Sequence, residues 1–271
     1  MEAYIISTMR LRAGAASDVG KVRQINEDSF LSQVDRGLFL VCDGMGGAAS
    51  GEVASKIAVQ TIARRLSEPP NGDDPGTGEH HFLPQTFRLA EAVRLANRSI
   101  YDQARTHAGQ TGMGTTMVGV WLDDSIASLA HVGDSRAYLF HDNQLEPVTS
   151  DHSLVEAQVQ AGLIDREQSL KSEHQNILLR ALGREPVVEV ELGEVPMQPG
   201  DALLLCSDGL TRMVPEPAMA AALSDGPGDP QAACDQLIAT ANENGGPDNV
   251  TVVVVEVEGS RLRKLFDRFK R

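Results

Sequence analysis

Short runs of apolar and β-branched residues recur along the chain and predict β-strands. The predicted strands lie at 38–42, 115–122, 126–132, 136–140, 202–206 and 250–257. Three of them follow one another between residues 115 and 140, separated only by short polar connections. Because such connections join antiparallel strands and leave no room for a crossover helix, we expect antiparallel hairpins in this part of the chain.

Apolar residues at helical spacing predict helices elsewhere in the chain. The predicted helices cover 50–66, 86–107, 153–161 and 230–244. Since the strands occur in groups and the helices in separate blocks, the sequence indicates an α+β arrangement in packed layers.

The composition is that of an ordinary globular protein, with 41% apolar and 23% charged residues among 271. No apolar run approaches the roughly 18 residues that cross a bilayer, and the first residues lack the pattern of a secretory signal. Cys42, Cys206 and Cys234 show no paired spacing, which argues against a disulfide framework or a zinc site. These features favour a cytoplasmic protein.

The charge is unevenly distributed along the chain. A net charge of −14 argues against nucleic acid as a partner, because binding a phosphodiester backbone needs clustered lysine and arginine. Residues 259–271 nevertheless hold six basic side chains and one acid, with apolar residues at helical spacing. This pattern is typical of a basic amphipathic helix that contacts an anionic membrane or a partner, or that packs back on the acidic body.

Acidic residues stand where several of the apolar runs begin or end. Asp43 and Asp208 each follow an apolar run and precede a glycine, while Asp248 comes just before the run at 250–257. A single Asp-Gly is most often only a turn. Buried carboxylates, however, need a cation, a proton or hydrogen-bond donors, and carboxylates that converge bind hard divalent cations. The set therefore predicts a metal site.

Glycines after Asp43 add to this prediction, since 44–47 reads Gly-Met-Gly-Gly and lets the backbone approach a ligand closely. A carbonyl from such a loop suits a metal ion. The Lys-Ser/Thr pair of a nucleotide P-loop is missing here, which argues against nucleotide binding.

Seven stretches together resemble the metal-dependent protein Ser/Thr phosphatases of the protein phosphatase 2C-like (PPM) family, in its bacterial form. In family order they read GKVRQINED (20–28), VCDGMGG (41–47), GTT (114–116), VGDSR (132–136), TSDHS (149–153), CSDGL (206–210) and GPDNVT (246–251). The match covers roughly 12–258, which we take as the phosphatase domain, with 259–271 as the tail.

This resemblance implies a fold and a cofactor. The fold would be a four-layer α-β-β-α sandwich of two antiparallel sheets flanked by helices. The cofactor would be two Mn²⁺ or Mg²⁺ ions per chain, with a third, weaker ion in bacterial relatives. Two such ions activate a water molecule for in-line attack at phosphorus, so no Ser, Cys or His nucleophile is required.

The resemblance also implies residue roles. Asp43 would bridge the two ions, with the Gly44 carbonyl on one of them and Asp208 and Asp248 on the other. Glu27 would act directly or through water, and Asp28 would support the ligands from behind. Asp134 would serve the third ion together with Asp208; the alternative is a turn carboxylate paired with Arg136.

Arg23 would hold the substrate phosphate, a role suited to its planar donor fork. Eukaryotic relatives carry a histidine, proposed as the acid for the leaving group, where this chain has Met45. We therefore assign no general acid. His152 begins a segment that forms a flap near the active site in the family, and it either contacts substrate or only starts a helix.

The expected activity is hydrolysis of phosphoserine and phosphothreonine in proteins, by a monomer that opposes a bacterial Ser/Thr kinase. The alternative is a catalytically silent module that binds phosphoproteins. The joint presence of Arg23, Glu27, Asp43, Asp208 and Asp248 argues against that alternative.

Overall fold

The computed structural model describes residues 9–46, 50–69, 82–169, 172–225 and 229–258. The predicted basic tail at 259–271, and Gly47 of the glycine run, lie outside the described residues.

Two antiparallel sheets form the centre of the fold. The first runs in the order Leu11–Asp18 (β1), Val250–Val257 (β11), Ala202–Cys206 (β10), Arg136–His141 (β7) and Gln144–Pro147 (β8). The second runs in the order Asp28–Gln33 (β2), Leu38–Met45 (β3), Met117–Asp123 (β5), Ile126–Val132 (β6) and Glu191–Pro196 (β9), with the short Gly114–Thr115 (β4) paired to β3.

Helices cover the outer face of each sheet. Ser50–Ser67 (α1) and Pro84–Thr106 (α2) pack on the second sheet. Glu216–Asp225 (α6) and Pro230–Glu243 (α7) pack on the first sheet, preceded by the short Asp208–Thr211 (α5). Leu154–Gln160 (α3) and Arg166–Ser169 (α4) lie in the connection between β8 and β9. The predicted four-layer α-β-β-α sandwich is therefore confirmed.

The central strands are buried on both faces. In β3, Phe39 and Val41 enter the apolar cluster between the sheets, whereas Leu38, Leu40 and Cys42 pack against α1 and α2. Successive side chains of a strand point to opposite faces, so a strand between two apolar layers needs apolar residues throughout. This requirement explains why β3 and β11 appear as continuous apolar runs in the sequence.

One predicted hairpin is present, and the prediction of the next hairpin is wrong. The strands β5 and β6 pair across a tight turn in which Asp124 has a φ of 49°. The strand β7 does not pair with β6; it crosses to the first sheet and pairs with β10 and β8. Gly133 makes this crossover with a φ of 113°, and a Cβ there would lie 2.7 Å from the Thr116 side chain. Asp134 is thus placed between the two sheets.

No helix among the described residues combines the length and apolarity that crossing a bilayer requires. All three cysteines are free and buried.

Candidate metal centre

A cavity of about 280 Å³ opens where strands of both sheets begin or end. Because neighbouring strands are antiparallel, the end of one strand lies beside the start of the next, and side chains distant in sequence meet at one end of the sandwich. Seven of the eight predicted site residues line this cavity: Arg23, Glu27, Asp43, Gly44, Asp134, Asp208 and Asp248.

Asp28, the eighth residue, lies directly opposite Asp43 in the β2–β3 ladder and is buried. One of its carboxylate oxygens accepts hydrogen bonds from Ser207 Oγ at 2.8 Å and Thr251 Oγ1 at 2.7 Å. The other oxygen, Oδ1, is buried without a hydrogen-bond partner among the described residues, and the same holds for Oδ1 of Asp208. A buried carboxylate oxygen without a donor is costly, and a cation relieves that cost.

The carboxyl groups resist ionisation in this arrangement. Burial, followed by repulsion from Asp28 and Asp208, holds the pKa of Asp43 well above its usual range. Burial also raises the pKa of Asp28 and of Asp134 to about 7, with Asp208 adding repulsion in both cases. The pKa of Asp208 is raised mainly by burial as well. The donor set is all oxygen and acidic, which fits Mn²⁺ or Mg²⁺.

These pKa shifts predict how the metal-free protein responds to pH. In the unfolded chain an aspartate titrates near about 3.9, whereas Asp28 and Asp134 titrate at about 7 in the folded chain. Between these values the folded state holds more protons, so stability is greatest at low pH and is lost as pH rises through about 7. In chelator, the thermal midpoint should fall between about pH 5 and about pH 8, and Mn²⁺ should restore it by binding the folded state.

Asp134→Asn provides the control for that measurement, because it removes one raised pKa and should flatten the pH dependence. A midpoint in chelator that rises or stays level over the same pH range would contradict the burial of charge in this cavity.

Two arginines, Arg23 and Arg212, line the cavity. The Arg23 guanidinium donates to Asp248 Oδ2 at 2.9 Å, and the Arg23 side chain is half exposed. Arg212, at the end of α5, lies 2.6 Å from Asp208 and 3.9 Å from Asp134. Arg136 is not the partner of Asp134, so that alternative is wrong: Arg136 donates to both carboxylate oxygens of Asp151 at 2.7 Å.

Thr116 holds Asp43 in place by hydrogen bonds, and no role was predicted for it from the sequence. Its Oγ1 accepts a hydrogen bond from the Asp43 amide at 2.9 Å and lies 2.6 Å from Ser135 Oγ. Its own amide donates to the Asp43 carbonyl at 2.8 Å. Thr116 therefore connects the strand that carries Asp43 to the crossover that carries Asp134.

Asn249 performs a similar task for the segment of Arg23 and Glu27, and it too had no predicted role. Its amide nitrogen donates to the carbonyls of Val19 and Ile25, and its amide oxygen accepts from the Glu27 amide at 2.8 Å. These bonds hold the Arg23 and Glu27 segment against the start of β11, next to Asp248. The signals in the sequence were the position of Asn249 beside a predicted ligand and within the motif GPDNVT.

Gly44 and Gly51 allow the chain to pack tightly around Glu27. A Cβ on Gly44 would lie 2.2 Å from the Gly51 carbonyl oxygen, so no larger residue fits there without moving the backbone. The Gly51 amide donates to Glu27 Oε1 at 3.1 Å. The glycine after Asp43 is thus required by close backbone approach, as the sequence predicted.

A profile of the family described as "Protein phosphatase 2C" matches residues 20–233. The chain belongs to the protein phosphatase 2C family. The resemblance found in the sequence is thereby confirmed; six of its seven motifs lie within the matched residues, and the seventh, at 246–251, follows them.

Relatives and solved structures within the family extend over nearly the whole chain. The serine/threonine phosphatase stp of Listeria welshimeri is 39% identical over 249 residues, which are 91% of this chain and 96% of that protein. The serine/threonine protein phosphatase PstP of Mycobacterium tuberculosis is 37% identical over 92% of this chain, which spans 46% of PstP. A crystal structure of the PstP catalytic domain with two manganese ions superposes with a TM-score of 0.80 at 36% identity, covering 93% of this chain and all of that one.

Proposed function

We propose that this chain hydrolyses phosphoserine and phosphothreonine in proteins with two Mn²⁺ or Mg²⁺ ions held in the acidic cavity. The observation that carries the proposal is the convergence of buried and partly buried carboxylates from both sheets on one cavity, where the pKa of Asp43 is raised and Oδ1 of Asp208 is buried without a hydrogen-bond partner among the described residues. Membership of the protein phosphatase 2C family and the two manganese ions of the PstP catalytic domain support it.

The proposed ligands are those that the family resemblance implies, and all of them line the cavity. Asp43 would serve both ions, Gly44 would offer its carbonyl to one, and Asp208 and Asp248 would hold the other, with Glu27 nearby. Asp28 supports them from behind, where Ser207 and Thr251 fix one of its oxygens. When bound, the two ions supply an activated water and neutralise charge on the phosphate.

Arg23 is placed to bind the phosphate group of the substrate. Its guanidinium reaches the cavity from a half-exposed position, and Asp248, as the largest influence, raises its pKa further. It therefore remains charged at every relevant pH. A guanidinium offers paired donors to phosphate oxygens, and the bond to Asp248 keeps it aimed at the cavity until substrate arrives.

A third ion at Asp134 and Asp208 would share its ligands with Arg212, which already lies against both carboxylates. A resident guanidinium lowers the affinity for a further cation through repulsion. This geometry supports the proposal that a third ion binds more weakly than the other two.

Further proposals rest on the sequence. The phosphatase domain spans 12–258, acts as a monomer in the cytoplasm, and opposes a bacterial Ser/Thr kinase.

The tail at 259–271 attaches weakly to a membrane or a partner. Equal recovery on liposomes of the full chain and of a chain ending at residue 258 would rule out attachment to a membrane.

The proposed activity is tested by hydrolysis of a phosphothreonine peptide with Mn²⁺, with chelator, and with Asp208→Asn. We expect activity only in the first condition. Asp201→Asn is a matched control, because Asp201 is buried but pairs with His141 outside the cavity. Activity that survives both chelator and Asp208→Asn would refute the two-metal mechanism. Peptide binding without hydrolysis under any condition would favour the silent module.

A further inference from the structure

A second cluster of metal-type side chains lies outside the acidic cavity. His131, His152 and Glu191 bring one ligand atom each to within 4.8 Å of one another. His131 is fully buried, and its Nε2 has no hydrogen-bond partner among the described residues. The His152 side chain is only 9% exposed and is not part of the cavity wall. Contact with substrate is therefore not its role, and the cluster serves another purpose.

The hydrogen bonds of His152 decide against a metal ion in this cluster. The Gly133 amide donates to His152 Nδ1 at 3.1 Å, which uses the lone pair of that nitrogen. The proton of a neutral imidazole must then be on Nε2, where it is donated to Glu191 Oε2 at 2.8 Å. A protonated Nε2 cannot bind a metal ion. Arg180 Nη1, 3.4 Å from the same nitrogen, adds positive charge that opposes a cation.

The same bonds attach His152 to the crossover that carries Asp134. Besides accepting from the Gly133 amide through its ring, His152 donates its own amide to the Gly133 carbonyl at 2.8 Å. Both polar backbone groups of Gly133 are thus bound by one residue. On the other side of Asp134, Ser135 Oγ lies 2.6 Å from Thr116 Oγ1. Asp134 therefore stands between two anchored neighbours.

His152 also supports one wall of the acidic cavity. Its carbonyl accepts from the Leu179 amide at 2.8 Å. Leu178, the residue before, lines the cavity together with Asn176. Glu191 fixes the orientation of the His152 ring by accepting its Nε2 hydrogen bond. Glu191 lies in β9, which pairs with β6, the strand that ends next to Gly133. His152 thus connects the sheet and the crossover through its side chain, and the cavity wall through its backbone carbonyl.

We propose that His152 is a positioning residue that holds the Asp134 carboxylate in place through its Nδ1 acceptor, with Glu191 fixing its ring. This inference rests on the proposed function in so far as Asp134 is taken to bind an ion. The decisive contact is the one between Nδ1 and the Gly133 amide; the contact with Glu191 is secondary.

Two substitutions separate these contacts. In His152→Asn the amide oxygen takes the place of Nδ1 and can accept from Gly133, whereas in His152→Gln the amide nitrogen takes the place of Nε2 and can only reach Glu191. We expect His152→Asn to retain the affinity for the most weakly bound Mn²⁺, measured by electron paramagnetic resonance of free Mn²⁺. His152→Gln and His152→Ala should weaken it by about 10–100-fold, as Asp134→Asn would.

Hydrogen exchange measured on the metal-free protein gives a readout independent of activity. Peptides covering 133–135 should exchange faster in His152→Gln and His152→Ala than in His152→Asn or the unchanged protein. Peptides covering 176–179, whose contact is with the His152 backbone carbonyl, should exchange alike in all four. Equal effects of Asn and Gln on both readouts, or no effect of Ala, would overturn the inference. If the unchanged protein binds no Mn²⁺, the proposed function fails, and the exchange experiment still decides the role of His152.

Discussion

Asp43→Asn is expected to lower kcat for a phosphothreonine peptide by at least roughly 10²–10³-fold, the loss that follows removal of one group stabilising charge in the transition state. Asp43 lies at the centre of the acidic cavity, and its backbone is fixed on both sides by Thr116. Asparagine has nearly the same shape but no charge. The substitution therefore removes electrostatic attraction for the ions while leaving the packing unchanged.

The same substitution should raise the stability of the metal-free protein. Burial and the neighbouring carboxylates hold the pKa of Asp43 well above its usual range, so keeping it ionised at neutral pH costs folding free energy. In chelator at neutral pH, Asp43→Asn should melt at a higher temperature than the unchanged protein. In saturating Mn²⁺ the order should reverse, because only the unchanged protein binds both ions tightly.

Asp102→Asn is the control for these two measurements, since Asp102 lies on the exposed face of α2 and pairs with Arg98. It should change neither activity nor the response to Mn²⁺. An Asp43→Asn protein that keeps its activity, or that loses stability in chelator, would contradict the assignment of Asp43 to the centre of the metal site.

Arg23→Ala should reduce kcat/KM for the phosphopeptide by about 10–100-fold, since a hydrogen bond to a charged group contributes roughly 1.5–3 kcal/mol. Arg23 is a cationic side chain of the cavity, and its guanidinium donates to the carboxylate of Asp248. It is half exposed, so truncation removes a phosphate donor without leaving a hole in the core. The effect should fall mainly on KM, if the bound phosphate is held equally in ground and transition states.

Inhibition by inorganic phosphate separates this role from a loss of metal. Arg23→Ala should weaken phosphate inhibition to a similar degree while leaving Mn²⁺ affinity unchanged or improved, because Asp248 loses a competing cation. Arg23→Lys should recover only part of the affinity, since an ammonium lacks the paired donors of a guanidinium. Unchanged phosphate inhibition in Arg23→Ala would show that another group binds the phosphate.

The strands that the sequence failed to predict share one property. They are β1, β2, β8 and β9, and these are the edge strands of the two sheets. An edge strand is covered on fewer sides, and these four are mostly intermediate or exposed, so they lack continuous apolar runs. The interior strands are buried between layers and were predicted from their apolar residues alone.

The crossover from β6 to β7 was mispredicted for a related reason. Three residues separate two apolar runs in the way that a hairpin loop does, and only tertiary packing sends the second run to the other sheet. Gly133 is the residue in the sequence that marks the crossover, because its left-handed backbone and its contact with Thr116 exclude a side chain.

Site residues that carry charge were easier to predict than those that position them. Asp43, Asp208 and Asp248 stand out because each adjoins an apolar run and together they form a set of acids suited to a metal ion. Thr116, Asn249 and Arg212 act through hydrogen bonds and ion pairs, and most of their partners are distant in sequence. Thr116 and Asn249 lie in the motifs GTT and GPDNVT, but threonine and asparagine occur at many surface turns, so the motifs alone did not show what these side chains hold.

The proposal that the acidic cavity binds two metal ions is tested by crystals of the protein soaked in Mn²⁺ and measured at the manganese absorption edge. We expect two strong anomalous peaks inside the cavity, one flanked by Asp43 and Gly44 and the other by Asp43, Asp208 and Asp248. We expect no peak between His131, His152 and Glu191. Peaks confined to the histidine cluster, or none within the acidic cavity, would contradict it.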